Sequence, residues 1–133
     1  MNRKLLNLKK FWKDKKVFIT GHTGFKGSWM SIFLNLLGAK VYGYSLKQEK
    51  LSLYNFAKLD KIISKSFIDD IRDYNKLKKA INQIKPDFLI HMAAQPLVRH
   101  SYDFPKYTYE VNTMGTLNIL NILCEKSSIK NSL

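Results

Sequence analysis

Along most of the chain, short apolar runs alternate with longer segments whose apolar residues recur at helical spacing. Lys16–Thr20 is a β-branched run closed by Gly21 and reads as a strand. Residues 28–37 follow with Trp29, Ile32, Phe33, Leu36 and Leu37 at helical spacing, and Gly38 stands where a C-cap glycine is expected. Residues 40–44 read as a second strand, 53–59 as a short helix in irregular chain, and 66–68 as a third strand running into Asp69 and Asp70. Tyr74–Ile84 is helical, with Leu77, Ala80, Ile81 and Ile84 as its apolar face. Pro86-Asp87 turns into a buried strand over 88–92. A long helix over about 106–125 then carries Val111, Met114, Leu117, Leu120 and Leu123 as its expected apolar stripe. This alternation is the signature of βαβ units and a parallel sheet.

The first strand and the first helix are joined by Gly21-His22-Thr23-Gly24-Phe25-Lys26-Gly27. Three glycines spaced three apart between a strand and a helix suit a phosphate-binding turn. Gly21 permits the tight turn, Gly24 lets backbone approach a pyrophosphate, and Gly27 lets helix and strand pack closely. The diphosphate then meets free N–H groups and the positive end of the helix dipole. A purely structural turn would need glycines too, but the strand before and the helix after supply the context that a nucleotide motif requires. His22 and Lys26 flank the expected diphosphate, Lys26 as an exposed cation at the helix start. The expectation is an α/β fold, an incomplete doubly wound parallel Rossmann sheet of about four strands flanked by helices. A full sheet of this type has about six strands in the order 3-2-1-4-5-6. One NAD(P)-binding domain over 1–133 is therefore short of two or more strands.

Composition narrows the picture only modestly. Hydrophobic residues make up 45% of the 133, and no apolar stretch approaches the length of a membrane span. The basic segment 1–10 lacks the apolar core of a signal peptide, and Cys124 is the lone cysteine, so a cytoplasmic protein without disulfides is expected. The formal charge is +13, which raises nucleic acid as a partner. Only Arg3, Arg72 and Arg99 are arginines, however, and the lysines are spread along the whole chain. That pattern is a diffuse lysine surface, so neither nucleic acid nor membrane is an expected partner.

The blocks Phe11-Trp12-Lys13, Gly21 to Trp29, Gly43-Tyr44-Ser45-Leu46, Asp70-Ile71-Arg72-Asp73, His91 to Arg99 and Ser101-Tyr102 to Thr116 narrow it further. Together they resemble the CDP-glucose 4,6-dehydratase family within the extended short-chain dehydrogenase/reductase superfamily. The resemblance implies a lyase of nucleotide-sugar metabolism acting by internal redox. The sugar is oxidised at C4, water is lost across C5 and C6, and hydride returns to C6, so that NAD is regenerated. It also implies roles for individual residues. Gly21, Thr23, Gly24, Phe25, Lys26 and Gly27 would hold the diphosphate of NAD, and Ser45 would lie at the ribose. Asp70 and Ile71 match the adenine-binding pair, the carboxylate facing the adenine amino group. Ala93, Ala94 and Gln95 match the turn that admits ribose and phosphates, and Asn112 a helix asparagine that braces the site. The segment from Gln95 to Tyr102 matches the part that lines the nicotinamide and sugar site, with Pro96, Arg99 and Ser101 as substrate candidates.

Two departures stand out. No carboxylate follows the second strand before Glu49, where an NAD site usually holds its ribose hydroxyls; Ser45 with Lys47 leaves NADP open beside NAD. The superfamily's Tyr-x-x-x-Lys pair occurs once, at Tyr102 and Lys106, but Pro105 breaks any helix through both, and it lies ahead of the helix that the pair should follow. No catalytic residue is therefore assigned in this chain. The catalytic pair and the substrate domain are expected beyond residue 133, and a homodimer or a complementing chain is the expected way to complete the enzyme. His91, ending an apolar strand, reads as a satisfied core histidine, and no metal-ligating cluster is visible.

Overall fold

A computed structural model describes residues 3–125 and the backbone of 131–132. The chain forms α1 (Arg3–Trp12), β1 (Lys16–Thr20), α2 (Phe25–Leu36), β2 (Lys40–Ser45), α3 (Leu53–Phe56), a 3-10 turn (Leu59–Lys61), β3 (Lys65–Ile68), α4 (Tyr74–Ile84) and β4 (Phe88–His91). Then follow α5 (Val98–Asp103), α6 (Pro105–Tyr109), a π turn (Glu110–Met114), α7 (Gly115–Cys124) and β5 (Asn131–Ser132). All pairings are parallel, in the order β3-β2-β1-β4-β5. The expectation of about four strands thus gains a fifth, two residues long, which pairs with Phe88 and Leu89 on β4.

β1 is central, and Val17, Phe18 and Ile19 are fully buried because both faces of a parallel sheet must be covered. Alternation sends Val17, Ile19 and Val41 to one face, under Leu34 of α2 and Tyr54 of α3. Phe18, Tyr44 and Leu89 go to the other, under Leu77, Ala80 and Ile81 of α4 and Ile119 and Ile122 of α7. The central strands therefore read as continuous apolar runs.

Two expected helix faces are corrected. On α2 the buried residues are Gly27, Ser28, Ser31 and Leu34, while Trp29, Phe33 and Leu36 are more than half exposed, at 53%, 51% and 68%. Small residues let this helix lie close to the sheet. Their hydroxyls are satisfied locally, Ser28 Oγ donating to His22 O and Ser31 Oγ to Gly27 O, so burying them is inexpensive. On α7 the buried side runs Val111, Gly115, Ile119, Ile122, whereas Met114, Leu117 and Leu120 are exposed. A stripe drawn at every third residue winds round a helix by about 60° per step; spacings of four, four and three keep to one side.

α1 was not expected. It is exposed except at the half-buried Trp12 and is anchored by Phe11 and Trp12, whose rings lie 5.8 and 4.9 Å from that of Phe88. The expected helix over 106–125 is realised as α6, the π turn and α7 in succession. Phe104, ahead of Pro105, takes φ −133° and ψ 64° and separates α5 from α6, so Tyr102 and Lys106 share no helix. Among the described residues, no helix is long and apolar enough to cross a membrane.

Candidate functional site

A cavity of about 700 Å³ opens across the carboxyl ends of β1, β2, β3 and β4, where α/β sheets of this kind bind ligands. Its floor is the turn between β1 and α2. Gly21 adopts φ +77° and donates its N–H to Tyr44 O at 2.9 Å; a Cβ there would sit 2.7 Å from Ala93 N. A Cβ on Gly27 would lie 2.0 Å from Gly21 O, so the first turn of α2 packs directly on the loop backbone. Gly24 is the opposite case. Only Gly21 O, at 3.4 Å, is near its missing Cβ, and the residue faces the cavity. Thr23 Oγ1 fixes the loop to the end of β2 through Leu46 O at 2.9 Å and Ser45 Oγ at 2.8 Å.

The structure brings Gly21, Thr23, Gly24, Phe25, Lys26, Gly27, Ser45, Asp70, Ile71, Ala93, Ala94, Gln95 and Pro96 around this one cavity. Asn112 stands behind it. Its Oδ1 accepts from Gln95 N at 2.7 Å and its Nδ2 donates to Gln95 O at 3.1 Å, an amide-to-backbone clamp presented from the π turn. Gln95 in turn donates to Thr108 Oγ1 and accepts from Leu97 N. Arg99 and Ser101 do not line the cavity. The short helix α5 turns Leu97 and His100 inward, and residues on either side of His100 point about 100° away from it.

His22 is a further correction. Instead of flanking the cavity it is fully buried beneath the loop, where its ring fills the space left by the missing side chain of Gly43. Nε2 meets Ser66 Oγ at 2.7 Å and the ring meets Tyr54 edge-on. Burial lowers its pKa from 6.5 to about 4, outweighing a contact with the Tyr44 backbone.

Leu97 and His100, from the segment 95–102, also line the cavity, as do Leu46, Asp69, Met92, Tyr107 and Val111, which were not among the expected site residues. Asp69 carried a readable signal, since it follows β3 directly and stands beside Asp70; its N–H donates to Ser45 O at 2.9 Å. A carboxylate thus stands next to β2 although β2 ends without one, and Lys76 Nζ pairs with it at 2.7 Å. Tyr107 and Val111, four residues apart, are brought in by α6 and the π turn, for which spacing offered no cue.

A polar chain crosses the back of the site. Thr20 Oγ1 meets His91 Nδ1 at 2.6 Å and accepts from Met92 N and Ala93 N, while His91 Nε2 meets Thr116 Oγ1 at 3.0 Å. His91 is thus a partnered core histidine, its pKa lowered by burial. Thr20→Val keeps the volume but strands the partners of one hydroxyl. It is expected to destabilise the chain by about 2 kcal/mol in urea denaturation. Tyr44 donates to Asp70 O, and burial together with Asp69, Asp73 and Asp70 raises its pKa, so it stays protonated and serves as a strut.

A glycine turn feeding a helix N-terminus, below a cavity across the ends of parallel strands in this order, defines a Rossmann-type fold. The family model described as "GDP-mannose 4,6 dehydratase" matches residues 18–132, and the chain belongs to that family. It is 48% identical over 123 residues to "CDP-glucose 4,6-dehydratase" of Salmonella typhimurium, covering 92% of this chain and 34% of that protein. Among solved structures, the epimerase Mth375 of Methanothermobacter thermautotrophicus superposes with a TM-score of 0.77 at 23% identity, covering 97% of this chain and 36% of that one. The UDP-glucose 4-epimerase of Thermus thermophilus, solved as a complex with NAD, superposes with a TM-score of 0.72 at 28% identity, covering 83% and 34%. The chain spans about a third of the length of the curated relatives it matches.

Proposed function

We propose that this chain is the cofactor-holding part of a sugar-nucleotide 4,6-dehydratase acting on CDP-glucose, with NAD as the dinucleotide. The observation that carries the reading is the cavity floor. Gly24 presents bare backbone at the N-terminus of α2, and a side chain there would project toward the ligand rather than into the protein. Lys26 adds positive charge at the same edge. The 48% identity to a CDP-glucose 4,6-dehydratase and the NAD named for the Thermus epimerase support the choice of substrate and cofactor.

Bound NAD would take up a hydride and return it. The residues of this chain bind and orient. The turn from Gly21 to Gly27 would cradle the diphosphate, Ser45 and Asp69 would stand at a ribose, and Asp70 with Ile71 would stand at the base. The Asn112 clamp would hold the Gln95 turn in place for the reacting end. Asp69 beside Ser45 favours an unphosphorylated ribose, which is why NAD is preferred to NADP here.

Thermal melting of the purified chain tests this. NAD at about a hundredfold its Kd is expected to stabilise the chain by about 2.7 kcal/mol, with a smaller effect from NADP at equal concentration. Gly24→Val is expected to fold and show no NAD shift. An NAD shift equal in Gly24→Val and in the parent chain would remove the loop from the site.

A further inference from the structure

The side of α2 turned away from the sheet is apolar. Phe25, Trp29, Phe33 and Leu36 recur at spacings of four, four and three, which keep to one side of a helix. That side lies opposite the buried Gly27, Ser28, Ser31 and Leu34. Phe25 is 71% exposed, and the other three are each more than half exposed. Lys26 is the only charged residue in the helix.

One flank of α2 is occupied, since Asn35 Nδ2 donates to Ile62 O at 3.1 Å and ties the helix to the 3-10 turn. On the opposite flank Lys26, Trp29, Met30, Phe33 and Met92 line an open groove of about 410 Å³. The four outward side chains expose roughly 500 Å² of apolar surface, a large single patch for a soluble chain.

The stripe also reads alike in both directions. Reversed about its midpoint at residues 30–31, Phe25 exchanges with Leu36, and Trp29 with Phe33. Two copies of α2 laid antiparallel about a two-fold axis would therefore set Phe25 against Leu36 of the second copy and Trp29 against its Phe33, each pairing made twice. In that arrangement the two Lys26 residues stand about 14 Å apart along the helix axis, beyond the screening length of about 8 Å at physiological salt. An acidic partner would find only Lys26 to match on this face, whereas a second copy matches the whole stripe.

We propose that α2 is a self-association surface, on which a second copy of this chain docks antiparallel and seats its Trp29 beside Phe33 in the groove. Pairing buries roughly 1,000 Å², the lower bound for a specific interface, so the association is weak and reversible. Each copy carries a formal charge of +13, so the rest of the surface opposes the pairing and salt favours it.

Sedimentation velocity on the full 133-residue chain tests this. Between about 1 and 300 μM the mass is expected to rise from one copy to two, with a dissociation constant on the order of 10 μM. Trp29 emission should shift to the blue over the same range, and the constant should fall several-fold from low salt to high. Trp29→Gln and Phe33→Gln are each expected to weaken association at least tenfold. Both positions are more than half exposed, so the urea midpoints of diluted samples should stay close to the parent's. Phe33→Gln keeps the Trp29 reporter, whose emission should then no longer depend on concentration. A chain that stays monomeric at the highest concentration would overturn the proposal, as would pairing that weakens with salt. Pairing untouched by both variants but lost in Leu117→Gln or Leu120→Gln would put the contact on α7 and overturn it equally.

Discussion

Gly27→Ala is expected to unfold the chain at room temperature or leave it marginal, whereas Gly24→Ala, three residues earlier in the same motif, is expected to fold normally. An alanine Cβ at position 27 would sit 2.0 Å from Gly21 O, 2.7 Å from Gly21 C and 2.8 Å from His22 Cα. All three are backbone or Cα atoms, and none lies at the far end of a flexible side chain. Relief would require α2 to move off the loop by more than an ångström. That motion would drag Ser28 from His22 O and open the buried face of Leu34. Overpacking of this kind costs about 3 kcal/mol or more, a large share of the stability of a domain this size. Gly24 has φ −74° and ψ 168°, which alanine adopts freely, and only Gly21 O lies near at 3.4 Å. The added methyl therefore projects into the cavity rather than into the protein. Urea denaturation should show a large loss for Gly27→Ala and less than about 0.5 kcal/mol for Gly24→Ala. Calorimetry with NAD should show weakened binding for Gly24→Ala. Equal stability of the two variants would contradict the close-approach account of Gly27.

The same pair of glycines shows what could be read in the chain before its structure. Strand–glycine–helix order and the helical period over Tyr74–Ile84 predicted the parallel sheet, because buried parallel strands and a strongly amphipathic helix leave plain patterns. The glycine turn between β1 and α2 was legible for the same reason: its conformation demands residues of one kind. The faces of α2 and α7 were not. Gly27, Ser28, Ser31 and Gly115 are buried for their small size, and hydropathy cannot distinguish a small buried residue from an exposed polar one. His100 and Tyr107 enter the cavity from α5 and α6 on either side of the break at Phe104; Pro105 announced the break, but not which side chains it would turn inward. Arg99 and Ser101 were assigned to the sugar site on resemblance, which gives no side-chain direction, and the short helix α5 places them outside the lining of this cavity.

His22 shows most sharply how a site residue can be misassigned, and it carries the second large expected effect. A histidine inside the glycine turn was expected to flank a diphosphate, yet here it is a buried wedge between the loop and β2, filling the space beside Gly43. Its folded pKa is about 4 against 6.5 in the unfolded chain, with burial the principal cause. The folded state therefore takes up the proton less readily than the unfolded one. Above pH 6.5 the imidazole is neutral in both states and its contribution to stability is complete. As pH falls from 6.5 toward 4 the unfolded chain is protonated first, and stability is lost at about 1.4 kcal/mol per unit. By pH 4 the loss from this one group reaches about 3 kcal/mol. His91, whose pKa is also lowered, acts in the same direction, as do other titrating groups, so the effect of His22 is isolated by difference. His22→Gln keeps a side-chain nitrogen able to reach Ser66 and does not titrate. It is expected to be less stable than the parent at pH 7, from poorer filling of the Gly43 niche, yet to lose less stability on going to pH 4, so that the gap narrows or reverses. Urea melts at half-unit steps from pH 7 to pH 4 measure this directly. Parallel curves for the two chains would show that the buried ring is not what couples the loop to pH.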